Sequence, residues 1–328
     1  MIDFELSQLF KTPILHVMIH RLVAYAFLSF SIVLVSSCSV DSELPILAGV
    51  AQASSGKGEA IYQSAKQADD AGKASKAIKL YSQVATRYPY APSAAKARFR
   101  QAQLLEERGE ILKSFEAYDQ FLARFPASEL YTTALDRQAS MAQSAAIGEV
   151  KSSVLGIKTR LSLEKTVGLL GKVRDNAPKS AAAAKAQFTI GELYENKKKS
   201  KEAIAAYRQL VRDQPESSLA PEALFRVGLI LTAEADRGNQ NQANLDLAKE
   251  AFNDYLIQYP NHSRNAEAQK WITGLNERDL QRSYDIAVFY QKTGKLESAK
   301  VYFRDVIAGV KSGPLHDQAS AQLKQLGE

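Results

Sequence analysis

The chain has 328 residues, 45% of them apolar and 24% charged, and carries a net charge of +6 at pH 7. That apolar share is ordinary for a soluble globular chain, and a single cysteine excludes an intrachain disulfide framework. The basic residues are spread along the whole length without an aromatic RNA-reading motif, which argues against nucleic acid; a mild positive surplus suits acidic proteins or anionic lipid headgroups.

Residues Leu22 to Val35 form an apolar run, preceded by His20-Arg21 and followed by Ser36-Ser37-Cys38. A basic lead, a short apolar core and small residues at the cut are the parts of a secretory signal peptide. The run is short of the ~20 residues a membrane-spanning helix needs. The small pair before Cys38 resembles the bacterial lipobox, which implies cleavage before Cys38 and acylation of its thiol and new amino group. A plain anchor or a plain secretory signal are the alternatives. Asp3 and Glu5 sit badly in a basic leader, so Met18-Ile19-His20-Arg21 reads as a second possible start. Ser39 rather than Asp after Cys38 favours the outer membrane. The expected organisation is a leader over 1–37, an acylated cysteine with a flexible tether over 38–58, and a repeat domain over 59–328. The small, polar composition of Val40 to Lys57 suggests the tether.

From Glu59 the pattern is one of helix pairs. Ala77, Ile78, Tyr81, Val84 and Ala85 share one face of a helix that ends before Pro89. The same sentence returns at Ser114–Pro126, Ala203–Pro215 and Ala248–Pro260, each with Tyr or Phe eight residues before the proline. Pro89 and Pro126 stand 37 residues apart, as do Pro178 and Pro215. A fixed period of this size is the signature of a solenoid. Gly72 and Tyr81, Gly109 and Tyr118, and Gly294 and Phe303 are each nine residues apart, so turn and ring keep register. Ser93, Ser128, Ser180 and Ser217 or Ser218 follow the prolines as N-cap residues for the next helix.

The third unit is irregular, with Gly148 to Ser162 inserted between Tyr131–Ala146 and Leu163–Val173. The fifth contains the polar insert Asp236 to Gln242. The last has a long first helix from Arg264 to Tyr290, with a break expected near Gly274, and Ala319 to Leu326 reads as a terminal cap. The expected fold is all-α, a solenoid of about six helical hairpins.

Catalytic patterns are missing. His16, His20, His262 and His316 show no metal-ligand spacing, and there is no GxGxxG, P-loop or nucleophile elbow. Asp69-Asp70 and Glu106-Glu107 read as solvated pairs at helix ends, and Lys197-Lys198-Lys199 as a solvated turn. An enzyme is not expected, nor a cofactor beyond the covalent lipid on Cys38.

Helix pairs of this length with Ala, Gly, Tyr and Pro so placed resemble tetratricopeptide repeats. Arg87-Tyr88-Pro89-Tyr90-Ala91-Pro92, Ala248 to Phe252 with Tyr259-Pro260-Asn261, Leu275 to Arg278, and Ile286 to Tyr290 with Gly294 are similar to the BamD family. That family comprises lipoproteins of the outer-membrane β-barrel assembly machine. The likeness covers roughly 59–129 and 220–312, and residues 130–218 read as two additional repeats. It implies a lipid-anchored scaffold on the periplasmic face of the outer membrane. Unfolded outer membrane proteins would enter a groove near Tyr62, Lys66, Arg98 and Gln101. The distal repeats would hold the BamA-type insertase, with Arg278 facing one of its acidic residues and Glu277 beside it, and other assembly subunits would join. Another envelope adaptor of the same repeat class, serving cell division or pilus or secretin assembly, is the alternative.

Overall fold

The computed structural model describes residues 48–154, 157–237 and 242–327. Cys38 and the leader lie outside them, as does the insert at 238–241. Helices α1 (Ala48–Asp70) and α2 (Ala74–Arg87) form the first hairpin, and α3 (Ala94–Glu107) and α4 (Ile111–Arg124) the second. The third is α5 (Tyr131–Ala146) and α6 (Leu163–Asn176), the fourth α7 (Ala181–Asn196) and α8 (Ser200–Asp213). The fifth joins α9 (Ala220–Arg237) to α10 (Gln242–Gln258), and the sixth α11 (Asn265–Lys292) to α12 (Leu296–Gly309). A final helix, α13 (Pro314–Gln325), packs on α12. Within residues 57–328 each helix packs chiefly on its predecessor and its successor, the nearest-neighbour pattern of a repeat array.

The ring read from the sequence is the core of each unit. Tyr81 is 2% exposed, and Tyr118, Tyr207, Phe252 and Phe303 are fully buried. Leu170 takes the place in the third hairpin and is also buried. Small residues on the first helices let these rings close in. A Cβ on Gly191 would come within 2.5 Å of the Tyr207 ring, and one on Gly228 within 2.7 Å of Phe252. Turn glycines Gly72, Gly109 and Gly294 have φ of 68°, 71° and 76°, a region that costs other L-residues about 1–2 kcal/mol. In the fourth hairpin Lys198, nine residues before Tyr207, holds that conformation at φ 56°. The basic turn is therefore a glycine position occupied by lysine.

Several expectations change. The stretch read as tether is helical from Ala48, because Ala48, Ala51 and Ala53 are strong helix formers and the three glycines, Gly49, Gly56 and Gly58, cost only ~1 kcal/mol each. Gly58 has a packing reason as well, since a Cβ there would lie 2.7 Å from the Tyr88 Cβ. The insertion at 148–162 holds an antiparallel ribbon, β1 (Lys151–Val154) with β2 (Ile157–Arg160), so the architecture is helical with one small β addition. Ser180 does cap α7, accepting from the Ala183 amide at 3.1 Å, and Ser162 caps α6 in the same way from Lys165 at 3.2 Å. Ser128 and Ser217 instead accept from amides two residues on, within the preceding turns, and the Ser93 hydroxyl is buried without a partner. Helix α11 runs unbroken through Gly274. Its residues 276–286 contain no buried side chain, so α11 bridges two cores, one ending at Leu275 and the other built around Ala287, Phe303 and Ala319.

Candidate functional site

Helices α2, α3 and α4 enclose a groove of about 950 Å³. One wall is the polar edge of α2, with Ser75, Ser82 and Thr86; the other is α4, with Leu112, Lys113 and Gln120. Arg98 and Gln101 of α3 lie between them. Arg98 is only 8% exposed, and its guanidinium donates to Gln101 Oε1 at 2.8 Å and to Thr86 Oγ1 at 2.9 Å. Both partners are neutral, and a guanidinium has five N–H donors, so the group keeps capacity for an anion. Burial, with Arg124 nearby, pushes its pKa below the ordinary arginine value. The other cations of the lining are already matched. Arg108 and Lys113 both pair with Glu110, at 2.9 and 2.7 Å.

Of the expected groove residues, Arg98 and Gln101 meet here and the other two do not. Tyr62 packs at a tilt against Tyr81 with ring centroids 5.7 Å apart, and Lys66 is exposed on α1; neither lines the groove. The reason is register, because Tyr62 points toward its own hairpin's ring rather than across to α4.

A repeating polar contact fixes the helices that frame the groove. Asp69, at the end of α1, accepts from the Tyr81 hydroxyl of α2 at 3.3 Å and from Arg100 Nε of α3 at 2.7 Å. Glu106 does the same for Tyr118 at 3.4 Å and Arg137 at 3.2 Å. Glu195 accepts from Tyr207 and from Arg226. Asp69 and Glu106, read from the sequence as halves of solvated pairs, are thus structural acceptors, while their neighbours Asp70 and Glu107 are exposed. The hydrogen bond from Arg100 holds the Asp69 carboxyl below its ordinary pKa, with burial opposing. The clue was in the spacing, 12 residues from acid to tyrosine and 31 from acid to arginine, in three of the hairpins.

In the distal part, Arg278 lies on the α11 stretch that has no buried side chain. It is ion-paired within the chain, to Asp236 in the last turn of α9. Lys249 of α10 reaches Asp279 at 3.0 Å and ties down the same stretch. Glu277 is exposed. His262 is placed by Tyr255, whose hydroxyl lies 2.5 Å from its Nδ1. Among the described residues there is no cluster of metal-ligating side chains, and no helix is long and apolar enough to cross a membrane.

Helix pairs in series, turning on left-handed residues and closing on a ring nine positions later, define a tetratricopeptide-type repeat protein. Residues 62–129 match the tetratricopeptide repeat family model, and residues 160–309 match the model described as outer membrane lipoprotein, YfiO. The chain is thus a BamD-like protein of the tetratricopeptide repeat class, similar over residues 160–309 to outer membrane lipoproteins. The second match takes in residues 160–218, part of the region the sequence had set apart as additional; residues 130–159 fall outside both matches. Comparison with curated proteins gave no match. Similar solved structures include the apo form of RapI, at 13% identity over 81% of this chain and 75% of that one, TM-score 0.33. YrrB, described as a repeat protein with an unusual peptide-binding site, is 18% identical over 69% and 92%, TM-score 0.29. A thermophilic repeat protein from Thermus thermophilus is 14% identical over 66% and 98%, TM-score 0.28.

Proposed function

We propose that this chain is a scaffold of the β-barrel assembly machinery, held to the periplasmic face of the outer membrane by lipid on Cys38. Its distal hairpins would bind a BamA-type insertase through Arg278 and Glu277, and its first two hairpins would receive unfolded outer membrane proteins. The match of residues 160–309 to an outer membrane lipoprotein family carries the reading. The groove supports it: an extended chain with a carboxylate fits a trough in which the buried Arg98 is held by neutral partners. Nothing in the reading requires a reaction.

Arg278 would have to leave Asp236 to meet an insertase carboxylate. Both side chains are more than a third exposed, so that exchange costs under about 1 kcal/mol. The test is co-purification from detergent-solubilised envelopes. Arg278→Glu should lose the insertase, and the double change Arg278→Asp with Asp236→Arg should restore the internal pair without restoring binding. Insertase recovery unchanged in both variants would reject the Arg278 contact. Recovery of a secretin with no insertase from the parent would replace the assembly role with that of another envelope adaptor.

A further inference from the structure

We propose that the β1–β2 ribbon binds an extended polypeptide by strand addition, as a second compartment of the Arg98 groove. The inference rests on that groove being a polypeptide site. Leu112 lines both the groove and a neighbouring cavity of about 670 Å³, so the two spaces adjoin at the first turns of α4. Met141 and Ser144 of α5 line the second cavity, and Glu149, Val150 and Lys151 bring the start of β1 to it. A chain lying past Arg98 and over Leu112 is thereby led to the edge of β1.

The ribbon has two strands only, so among the described residues β1 keeps one edge without a strand beside it. Two-stranded ribbons are marginal by themselves and gain from a third strand. The register pairs Val154 with Ile157 and Ser153 with Lys158. Two residues separate Val154 from Ile157, so that pair exchanges the ladder hydrogen bonds, and the alternation turns the Ser153 N–H and C=O outward. Lys151, two residues earlier, shares this orientation. The backbone of β1 thus offers donors and acceptors at strand spacing, beginning at Lys151 on the rim of the cavity.

Charge selects the occupant. Across residues 149–160 the three cations Lys151, Lys158 and Arg160 outnumber the one acid, Glu149, which lines the cavity together with Glu106, so the positive surplus lies along the ribbon rather than in the cavity. A second copy of the ribbon would set like charges against each other, the device by which short edges resist self-pairing. An extended strand carrying acidic residues, with apolar side chains for the cavity at Met141, is complementary in both respects. All of this hairpin except Arg160, where the second match begins, lies between the two family matches, so β1 belongs to the part of the chain outside both.

The experiment uses the full chain purified in detergent and a fluorescein-labelled ten-residue peptide. The peptide alternates valine with threonine, carries two aspartates and ends in a free carboxylate. Affinity is read by fluorescence anisotropy for the parent, Ser153→Pro and Arg98→Met, and for the same peptide N-methylated at alternate amides. Strand addition predicts that Ser153→Pro and N-methylation each weaken binding about tenfold. Replacing the aspartates by lysines should abolish the preference. N-methylation acts on the peptide alone, so it decides the matter even if Ser153→Pro unfolds the ribbon. Unchanged affinity for the N-methylated peptide, with Arg98→Met still weakening binding, overturns the ribbon proposal and leaves the groove. No binding to the parent removes both.

Discussion

The hydroxyl of Tyr207 donates to Glu195 Oε2 at 2.8 Å, and the Arg226 guanidinium donates to the same oxygen at 3.0 Å. One carboxylate therefore joins both helices of the fourth hairpin to the first helix of the fifth. Asp69 and Glu106 do the same in the first and second hairpins. Where the ring has no hydroxyl the acid is absent too. Thr232 stands four residues after Gly228, as Glu195 stands four after Gly191, and Phe252 stacks on Trp271 with centroids 6.1 Å apart instead. Gln291, twelve residues before Phe303, bonds to Gln322 at 3.0 Å. Hydroxyl and carboxylate come and go together because a buried phenol needs an acceptor and a half-buried carboxylate needs donors.

Tyr207→Phe removes one donor and leaves Arg226 on Glu195, so urea unfolding should show a loss of about 1 kcal/mol. Glu195→Leu should cost more, since it leaves the buried Tyr207 hydroxyl without its acceptor. Equal losses in the two variants would contradict the shared-acceptor arrangement.

Acid should weaken the first junction. The Asp69 carboxyl is held below the unfolded value of about 3.9 by Arg100, so its contribution is whole above that value and is lost as pH falls through the lower folded one. The Asp119 carboxyl is shifted the same way, burial being outweighed by hydrogen bonds from Lys172, Asn176 and Gln138. Stability measured against pH should therefore drop more steeply below about pH 4 in the parent than in Asp69→Asn.

Lys198 holds a backbone conformation that its three counterparts give to glycine. Lys198→Gly should raise stability by about 1 kcal/mol, read as a higher denaturation midpoint with unchanged slope.

Arg98 is desolvated among neutral partners, an arrangement that favours binding over stability. Arg98→Met should leave the melting temperature equal or higher while lowering affinity for a peptide with a free carboxylate about tenfold. A drop in both would make Arg98 a structural residue.

Residues 276–286, which hold no buried side chain, separate the last core from the one before it. Phe303→Ala should cost ~3–5 kcal/mol, and the loss should fall on one end of the array. Hydrogen exchange is expected to quicken in α12 and α13 while α7 to α9 keep their protection.

The sequence by itself determined the repeat, its period, its buried rings, most of the helix limits and the turn positions. Those are consequences of 3.6-residue periodicity, proline stops and a glycine nine residues before the ring, all local in the chain. Tertiary structure alone decided which polar residues meet. Tyr62 and Arg98 lie on equally plausible helix faces, yet one packs on its own hairpin and the other floors a groove, because side-chain direction depends on how neighbouring hairpins stack. Arg278 finds Asp236 from 42 residues away, and Asp69 and Glu106 become acceptors only when the next hairpin brings up its arginine. The ribbon at 151–160 was hidden for the same reason: a short polar insertion has no period long enough to declare itself before its two strands pair.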